Sequence, residues 1–134
     1  MTMRSPKAVL FAILALSVNG NLHAQRHFSN EEIVSLIGGC MAENAPDDWQ
    51  TFIFKLEQAP PVAGKRSPPA IEHKVIAGSA DSAPQDLKPC RPDYVPKAVN
   101  TFRENQDEKA RRWTGIVLTI KRDGSFGVTF NYPK

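Results

Sequence analysis

Apolar and polar side chains alternate most clearly along two segments at the C-terminal end of the chain. In residues 114–122 (TGIVLTIKR) and 126–132 (FGVTFNY) alternate positions are large and apolar, which is the period of a β-strand with one buried face. Asp123-Gly124 lies between them and is favoured in two-residue type I′ turns, where both residues need positive φ. The pattern predicts a C-terminal β-hairpin.

Two more strands are expected earlier in the chain. Phe52, Phe54 and Leu56 share one face of residues 49–57 (WQTFIFKLE), which predicts a half-buried strand. Residues 71–77 (IEHKVIA) have a weaker apolar pattern, and we expect a short edge strand there.

Two segments have the spacing of amphipathic helices. Ser29 and Glu32 form a capping box that opens the first helix. Its apolar stripe consists of Ile33, Leu36, Ile37, Cys40 and Met41. The second helix begins at Asp93 or Tyr94, with Pro96 in its first turn. Its stripe is Val95, Val99, Phe102 and Ala110, and the charged residues of 103–112 are interpreted as its solvated face.

The resulting order is helix, strand, strand, helix, strand, strand. This order predicts an α+β fold, with a small antiparallel sheet and two helices packed on one face. Residues 59–69 (APPVAGKRSPP) and 78–92 are expected to be loops because they are rich in Pro, Gly and Ser. Two long irregular stretches in so small a domain are often functional.

The N-terminal residues have the pattern of a secretory signal peptide. Arg4 and Lys7 precede an 11-residue apolar run at 8–18, and Ala24 offers a small residue for cleavage. Cleavage after Gly20 also fits. The alternative is an uncleaved membrane anchor, but the run is shorter than the roughly 20 residues that span a bilayer. We therefore expect residues 1–24 to be removed and residues 25–134 to form one periplasmic domain without stable membrane association.

The charge balance does not favour a nucleic-acid partner. The chain has 17 Lys and Arg against 14 Asp and Glu, and the predicted signal peptide contains two of the basic residues. The mature domain is therefore almost neutral and lacks the basic excess that nucleic-acid binding requires.

Cys40 and Cys90 are the only cysteines. In an oxidising compartment two cysteines in a small domain are expected to pair, and closing a loop of this length stabilises the fold by about 4 kcal/mol. Two buried free thiols are the alternative. Together with His27 and His73 the cysteines lack zinc-finger spacing, so neither a metal nor a cofactor is predicted.

No group of residues points to catalysis. His73 stands without a nucleophile at a recognisable spacing, and Asp47-Asp48 is more simply a turn or strand cap than a catalytic pair. There is also no glycine-rich phosphate loop. We predict that the chain is not an enzyme, although a small enzyme with its site in the two long loops stays open as a hypothesis.

Candidate partner-binding residues occur beside two strands. Asp47, Asp48 and Trp49 lie at the start of the first strand, and Trp is enriched among interface anchors. Glu72, His73 and Lys74 lie on the expected edge strand. Unpaired backbone groups at such an edge can add a partner strand or form a homodimer.

Two blocks of sequence resemble the YezG-like immunity protein family. The first is residues 43–49 (ENAPDDW) with the strand that follows, similar to the family's Pro-acidic-acidic-Trp segment at a helix end. The second runs from a helical Phe102 through Trp113-Thr114 and 123–126 (DGSF) to the aromatic residues 130–132 (FNY). The two blocks cover about half of the mature chain.

This resemblance implies a small binding protein that neutralises a cognate toxin of interbacterial competition. Family members are typically cytosolic, whereas this chain begins with an export signal, and residues 59–92 show little likeness to the family. A periplasmic location favours a toxin that attacks the cell wall or membrane. The alternative hypothesis is a periplasmic binding or accessory module of the cell envelope without a toxin partner.

Overall fold

The structure, a computed structural model, describes residues 28–133. The predicted signal peptide and His27 lie outside this range. The elements in chain order are helix α1 (Asn30–Ala42), strands β1 (Trp49–Glu57), β2 (Ala70–Ala77) and β3 (Gln85–Asp86), helix α2 (Tyr94–Glu104), a 3-10 helix (Ala110–Arg112), and strands β4 (Gly115–Lys121) and β5 (Phe126–Asn131). The predicted α+β order is confirmed, with β3 and the 3-10 helix as additions.

The five strands form one antiparallel sheet in the order β3-β2-β1-β4-β5. β1 is central, and its Phe52 pairs with Val75 of β2 on one side and Ile120 of β4 on the other. The prediction that residues 71–77 form an edge strand was wrong, because the short β3 pairs with β2 at Lys74 and Val75.

Both helices pack against one face of the sheet, as predicted. The inward-facing residues Phe52, Phe54, Ile116, Leu118 and Ile120 are at most 2% exposed. The buried side chains of α1 and α2 belong to the same core cluster, and the helices also contact each other. Each fully buried Leu, Ile or Phe contributes about 1.5–3 kcal/mol, so this one-sided burial determines which face of each strand turns inward.

The first helix begins at the predicted capping box. The Glu32 backbone N–H donates to Ser29 Oγ at 3.1 Å, and the Ser29 N–H donates to the Glu32 carboxylate at 2.9 Å. Two amide groups that a helix start leaves unpaired are thereby satisfied.

Cys40 of α1 and Cys90 are joined by a disulfide, with their Cα atoms 4.8 Å apart. The Cys90 N–H also donates to the Cys40 carbonyl at 3.0 Å. The predicted pairing is confirmed, and it attaches the segment between β3 and α2 to the first helix.

The C-terminal hairpin is confirmed, but its turn is not the predicted type I′. Gly124 has φ of 92°, whereas Asp123 is not among the residues with positive φ. The Gly124 N–H donates to the Lys121 carbonyl at 2.9 Å, and the Lys121 N–H donates to the Ser125 carbonyl at 2.8 Å. This is a three-residue loop, a type I turn followed by a left-handed glycine. The Asp123 carboxylate accepts from the Ser125 N–H at 2.9 Å, and this bond favours the three-residue loop over a type I′ turn.

The charged residues 103–112 are largely exposed, as predicted, but they do not continue the second helix. α2 ends at Glu104, and the Asp107 carboxylate accepts the Ala110 N–H at 2.8 Å at the start of the 3-10 helix. Short polar side chains that bond to nearby backbone favour such turns over continued helix. The predicted stripe is therefore confirmed at Val95, Val99 and Phe102 and wrong at Ala110.

Within residues 28–133, neither helix has the length and apolar character needed to cross a bilayer.

Candidate functional site

Asp47 and Asp48 lie in the turn before β1, with exposed side chains. Their carbonyl groups brace the turn, because the Asp48 carbonyl accepts from the Gly78 N–H at 3.0 Å and the Asp47 carbonyl accepts from Arg122 Nη1 at 2.8 Å. The backbone of the turn is thus engaged within the domain, while the two carboxylates are presented to solvent.

Trp49 is part of the core. It is 1% exposed, stacks on Phe52 with 4.0 Å between ring centroids, and has the Arg122 guanidinium 5.1 Å from its ring. Trp113, the other tryptophan of the chain, is 2% exposed. A partner at the surface does not reach either ring, so the expectation that Trp49 anchors a partner does not fit its position.

Glu72, His73 and Lys74 do not form one surface, because successive residues of a strand face opposite sides. Glu72 and Lys74 lie on the face away from the helices, and Lys74 Nζ lies 2.8 Å from the Asp86 carboxylate. The hydrogen bond to Asp86 and its negative charge raise the pKa of Lys74. The same hydrogen bond and the positive charge of Lys74 lower the pKa of Asp86. His73 points to the helix side, where its ring lies 5.2 Å from that of Phe54.

His73 borders a cavity of about 540 Å³ beside the disulfide. Its Nε2 is buried and has no hydrogen-bond partner among the described residues, and burial lowers the pKa of its imidazole. The other lining residues are Asn44, Ile71, Lys88, Pro89, Cys90 and Pro92. The cavity is therefore a partly apolar groove, whose lining combines prolines and Ile71 with the polar Asn44, His73 and Lys88.

The uncovered edge of the sheet is β5, not the strand predicted from the sequence. The Lys121 N–H bonds to the Ser125 carbonyl, and hydrogen-bonded pairs then alternate along the β4–β5 ladder. By that alternation the backbone groups of Phe126, Val128 and Phe130 point away from β4. No further strand follows β5 in the sheet formed by residues 28–133.

The two edges of the sheet differ in protection. β3 has only two residues, and its Asp86 is paired with Lys74; short strands and charges are common ways to blunt an edge. β5 has six residues, and residues 126–132 (FGVTFNY) contain neither a charge nor a proline. β5 is therefore the edge at which a strand can be added.

A second cavity, of about 510 Å³, lies between the end of β1, residues 59–69, α2 and residues 112–114. Three arginines line it, Arg66, Arg103 and Arg112, and none of the described lining residues carries a carboxylate. We call it the arginine cavity. The sequence analysis missed it because Arg66 is distant in sequence from Arg103 and Arg112, and these two were interpreted as the solvated face of a helix.

In the described part of the chain no three His, Cys, Asp or Glu side chains are grouped so that they could hold a metal ion. Comparison with known proteins gives no matching family model and no significant match to a curated protein.

Proposed function

We propose that the mature chain is a periplasmic immunity protein that binds a cognate toxin and neutralises it by occlusion. Strand β5 is the main contact in this proposal, and a strand of the toxin adds to the sheet there. The observation that carries the proposal is the uncovered, uncharged edge of β5.

Strand addition suits β5 for a physical reason. The outward N–H and C=O groups of Phe126, Val128 and Phe130 offer a row of donors and acceptors, which is what an added strand requires. The side chains of these three residues are half-buried, so a partner strand can cover apolar surface in the same step. Backbone bonds would supply affinity and the flanking side chains specificity.

Two further features support the proposal. The resemblance to YezG-like immunity proteins covers the turn at 43–49 and the C-terminal hairpin, so β5 belongs to the segment that carries the likeness. The Cys40–Cys90 disulfide is typical of proteins that fold in an oxidising compartment, which agrees with export to the periplasm.

The first experiment is affinity capture of the mature chain, exported in its native host with a C-terminal tag, followed by mass spectrometry. We expect a stoichiometric partner that is encoded beside this chain and kills cells when it is sent to the periplasm alone. Co-export of this chain should restore growth. Capture of envelope proteins alone, with no toxic partner while the toxin systems are expressed, would overturn the immunity function in favour of an accessory module.

A pair of variants at one position tests the β5 contact. Val128→Pro removes the outward N–H without breaking the ladder to β4, since that group points to the free edge. Val128→Ala keeps the N–H and serves as the matched control. We expect Val128→Pro to weaken toxin binding about tenfold or more and Val128→Ala to weaken it only slightly.

Sedimentation of the wild type and the same two variants shows whether β5 pairs with a second copy of the chain instead of a toxin. If the wild-type chain is a dimer and only Val128→Pro is a monomer, β5 pairs with a second copy and the toxin contact proposed here is wrong. Equal toxin binding by Val128→Pro and the wild type would likewise exclude β5 as the contact.

A further inference from the structure

The arginine cavity contains positive charge that the protein itself does not neutralise. Among the described residues no carboxylate lies within ion-pair distance of Arg66 or Arg103, and Arg112 has only an exposed contact of 3.6 Å with Glu108. Burial and the nearby charge of Arg66 lower the pKa of Arg103. Positive charges that line one cavity without a counterion repel each other, and a bound anion would relieve that repulsion.

Neighbouring groups hold Arg103 in an orientation that suits contact with an anion. Its guanidinium carbon lies 3.6 Å from the centroid of the Trp113 ring. Its Nη1 donates to the Arg111 carbonyl at 2.7 Å, and its Nε donates to Asn100 Oδ1 at 3.3 Å. A guanidinium has five N–H groups, so these two bonds fix its plane and leave donors for a ligand.

The walls of the cavity add an apolar surface to this charge. Leu56, Trp113 and the prolines at positions 60, 61, 69 and 96 contribute to the lining. A volume of about 510 Å³ lies within the range of roughly 300–1,000 Å³ that small-molecule sites occupy. Residues 59–68, which include Arg66, are exposed, and a loop with so little burial can shift to admit a ligand.

We propose that the arginine cavity binds an organic anion, with a carboxylate or phosphate group held by Arg66 and Arg103 and an apolar part against Leu56 and the prolines. Guanidinium groups recognise both anions through paired N–H donors. The site needs no protein partner, and it can be tested on the purified mature chain independently of the immunity function.

The test is a titration with four probes, followed by NMR of the Arg Nε–H and Trp Nε1–H groups. Phenyl phosphate and phenylacetate carry the two anions on a ring, benzyl alcohol is the neutral analogue, and inorganic phosphate lacks the apolar part. We expect one or both ring anions to bind saturably and to shift the Arg103 and Trp113 signals. The tighter ring anion identifies the class of ligand, and benzyl alcohol and inorganic phosphate should bind at least several-fold more weakly.

Variants distinguish binding in the arginine cavity from attraction of the anion to positive charge elsewhere on the surface. Arg66→Gln lies in an exposed loop and should leave the fold intact, while Arg103→Gln removes the oriented guanidinium. Each should lower the affinity for the ring anion about tenfold or more. Lys109→Gln, which removes one exposed positive charge outside the cavity lining, is the matched control and should have little effect.

Three results would overturn the proposal. They are the absence of saturable binding by either ring anion up to tens of millimolar, equal binding of benzyl alcohol, and an equal loss in Lys109→Gln and Arg66→Gln. Unfolding curves of each variant show whether a lost affinity reflects a lost fold. If Arg103→Gln proves unstable, Arg66→Gln alone decides.

Discussion

The two long irregular segments, residues 59–69 and 78–92, are similar in composition and different in structure. Residues 78–92 are attached to the rest of the domain by β3, by the disulfide and by Leu87, which is only 9% exposed. Residues 59–69 are almost entirely exposed, with Val62 at 77%. Beyond a small turn in which Val62 and Lys65 exchange backbone hydrogen bonds, they are held mainly by a bond from Gln58 to the Ser67 carbonyl.

This difference shows that a Pro- and Gly-rich composition does not by itself indicate a functional loop. Burial and covalent attachment make residues 78–92 a structural part of the fold, forming one wall of the His73 cavity. The weakly attached residues 59–69 line the arginine cavity, where a shift of the exposed chain would admit the proposed anion. Four measurements test this contrast.

The largest expected effect is that of the disulfide. Replacing both cysteines, Cys40→Ala with Cys90→Ala, should lower the free energy of unfolding by about 4 kcal/mol, because the unfolded chain loses a cross-link over a loop of about 50 residues. Urea unfolding of the oxidised chain and the double variant measures the change. As the counterpart, inserting Gly-Gly after Gly64 should cost less than about 1 kcal/mol, since lengthening an exposed loop is cheap. Similar losses in both variants would contradict the contrast.

The second effect is that of one side chain in each segment. Leu87→Ala should destabilise the fold by about 2 kcal/mol because it removes buried methyl groups and leaves space beneath the loop. Val62→Ala, at a similarly apolar but exposed position, should change stability by less than about 0.5 kcal/mol. The two variants are compared by thermal and urea unfolding, and a Val62→Ala loss as large as that of Leu87→Ala would show that residues 59–69 are packed in solution.

The third effect concerns one amide side chain at each loop. Asn44 Nδ2 donates to the Lys88 carbonyl at 3.0 Å and to the Pro89 carbonyl at 3.3 Å, while Gln58 Nε2 donates to the Ser67 carbonyl at 2.8 Å. Gln58 Nε2 also donates to the carbonyl of its neighbour Ala59 at 3.3 Å, but both of its acceptors lie in exposed chain, whereas Asn44 reaches the buried Pro89. Asn44→Ala should therefore cost about 1 kcal/mol and Gln58→Ala about half of that. Amide hydrogen exchange compares the local stability of residues 59–69 and 78–92 in the two variants. A larger loss in Gln58→Ala than in Asn44→Ala would contradict the contrast between the segments.

The smallest effect is a pH dependence at the wall of the His73 cavity. Burial lowers the folded-state pKa of His73 below its ordinary 6.5, so the unfolded state binds more protons in that range. Stability is therefore complete above about pH 6.5 and decreases as the pH falls through the lower folded-state pKa. His73→Asn should flatten the stability profile between pH 7.5 and pH 5, and an unchanged profile would mean that His73 is not the group responsible.

Much of the fold could be predicted from local patterns, and much of the site could not. The C-terminal hairpin follows from strict alternation, and the start of α1 follows from a capping box, because each depends on residues close in sequence. The type I′ turn was predicted wrongly because Asp-Gly also suits a type I turn followed by glycine, and the Asp123–Ser125 bond decides between them. The charged stretch after Glu104 was predicted as helix because its charges have helical spacing. The bond that the Ala110 N–H donates to the Asp107 carboxylate, which starts the 3-10 helix, has no such signal in the sequence.

The candidate sites depended on contacts that a linear pattern does not contain. The sheet order places β4 between β1 and β5, so the uncovered edge is the last strand rather than residues 71–77. Trp49 was a candidate anchor on composition alone, and only packing shows that its ring stacks on Phe52 in the core. Arg66, Arg103 and Arg112 line one cavity from three separate segments of the chain.

The sequence by itself determined the α+β class, the hairpin and the capping box, and it favoured pairing of the two cysteines, which the structure confirms. These follow from the period of apolar residues, from short-range hydrogen bonding and from the presence of just two thiols. Only the tertiary structure decided which edge of the sheet is free, which irregular segment is fastened, and which charges stand together without a counterion. Those properties arise from long-range packing, where burial of the apolar faces brings together residues that have no local pattern in common.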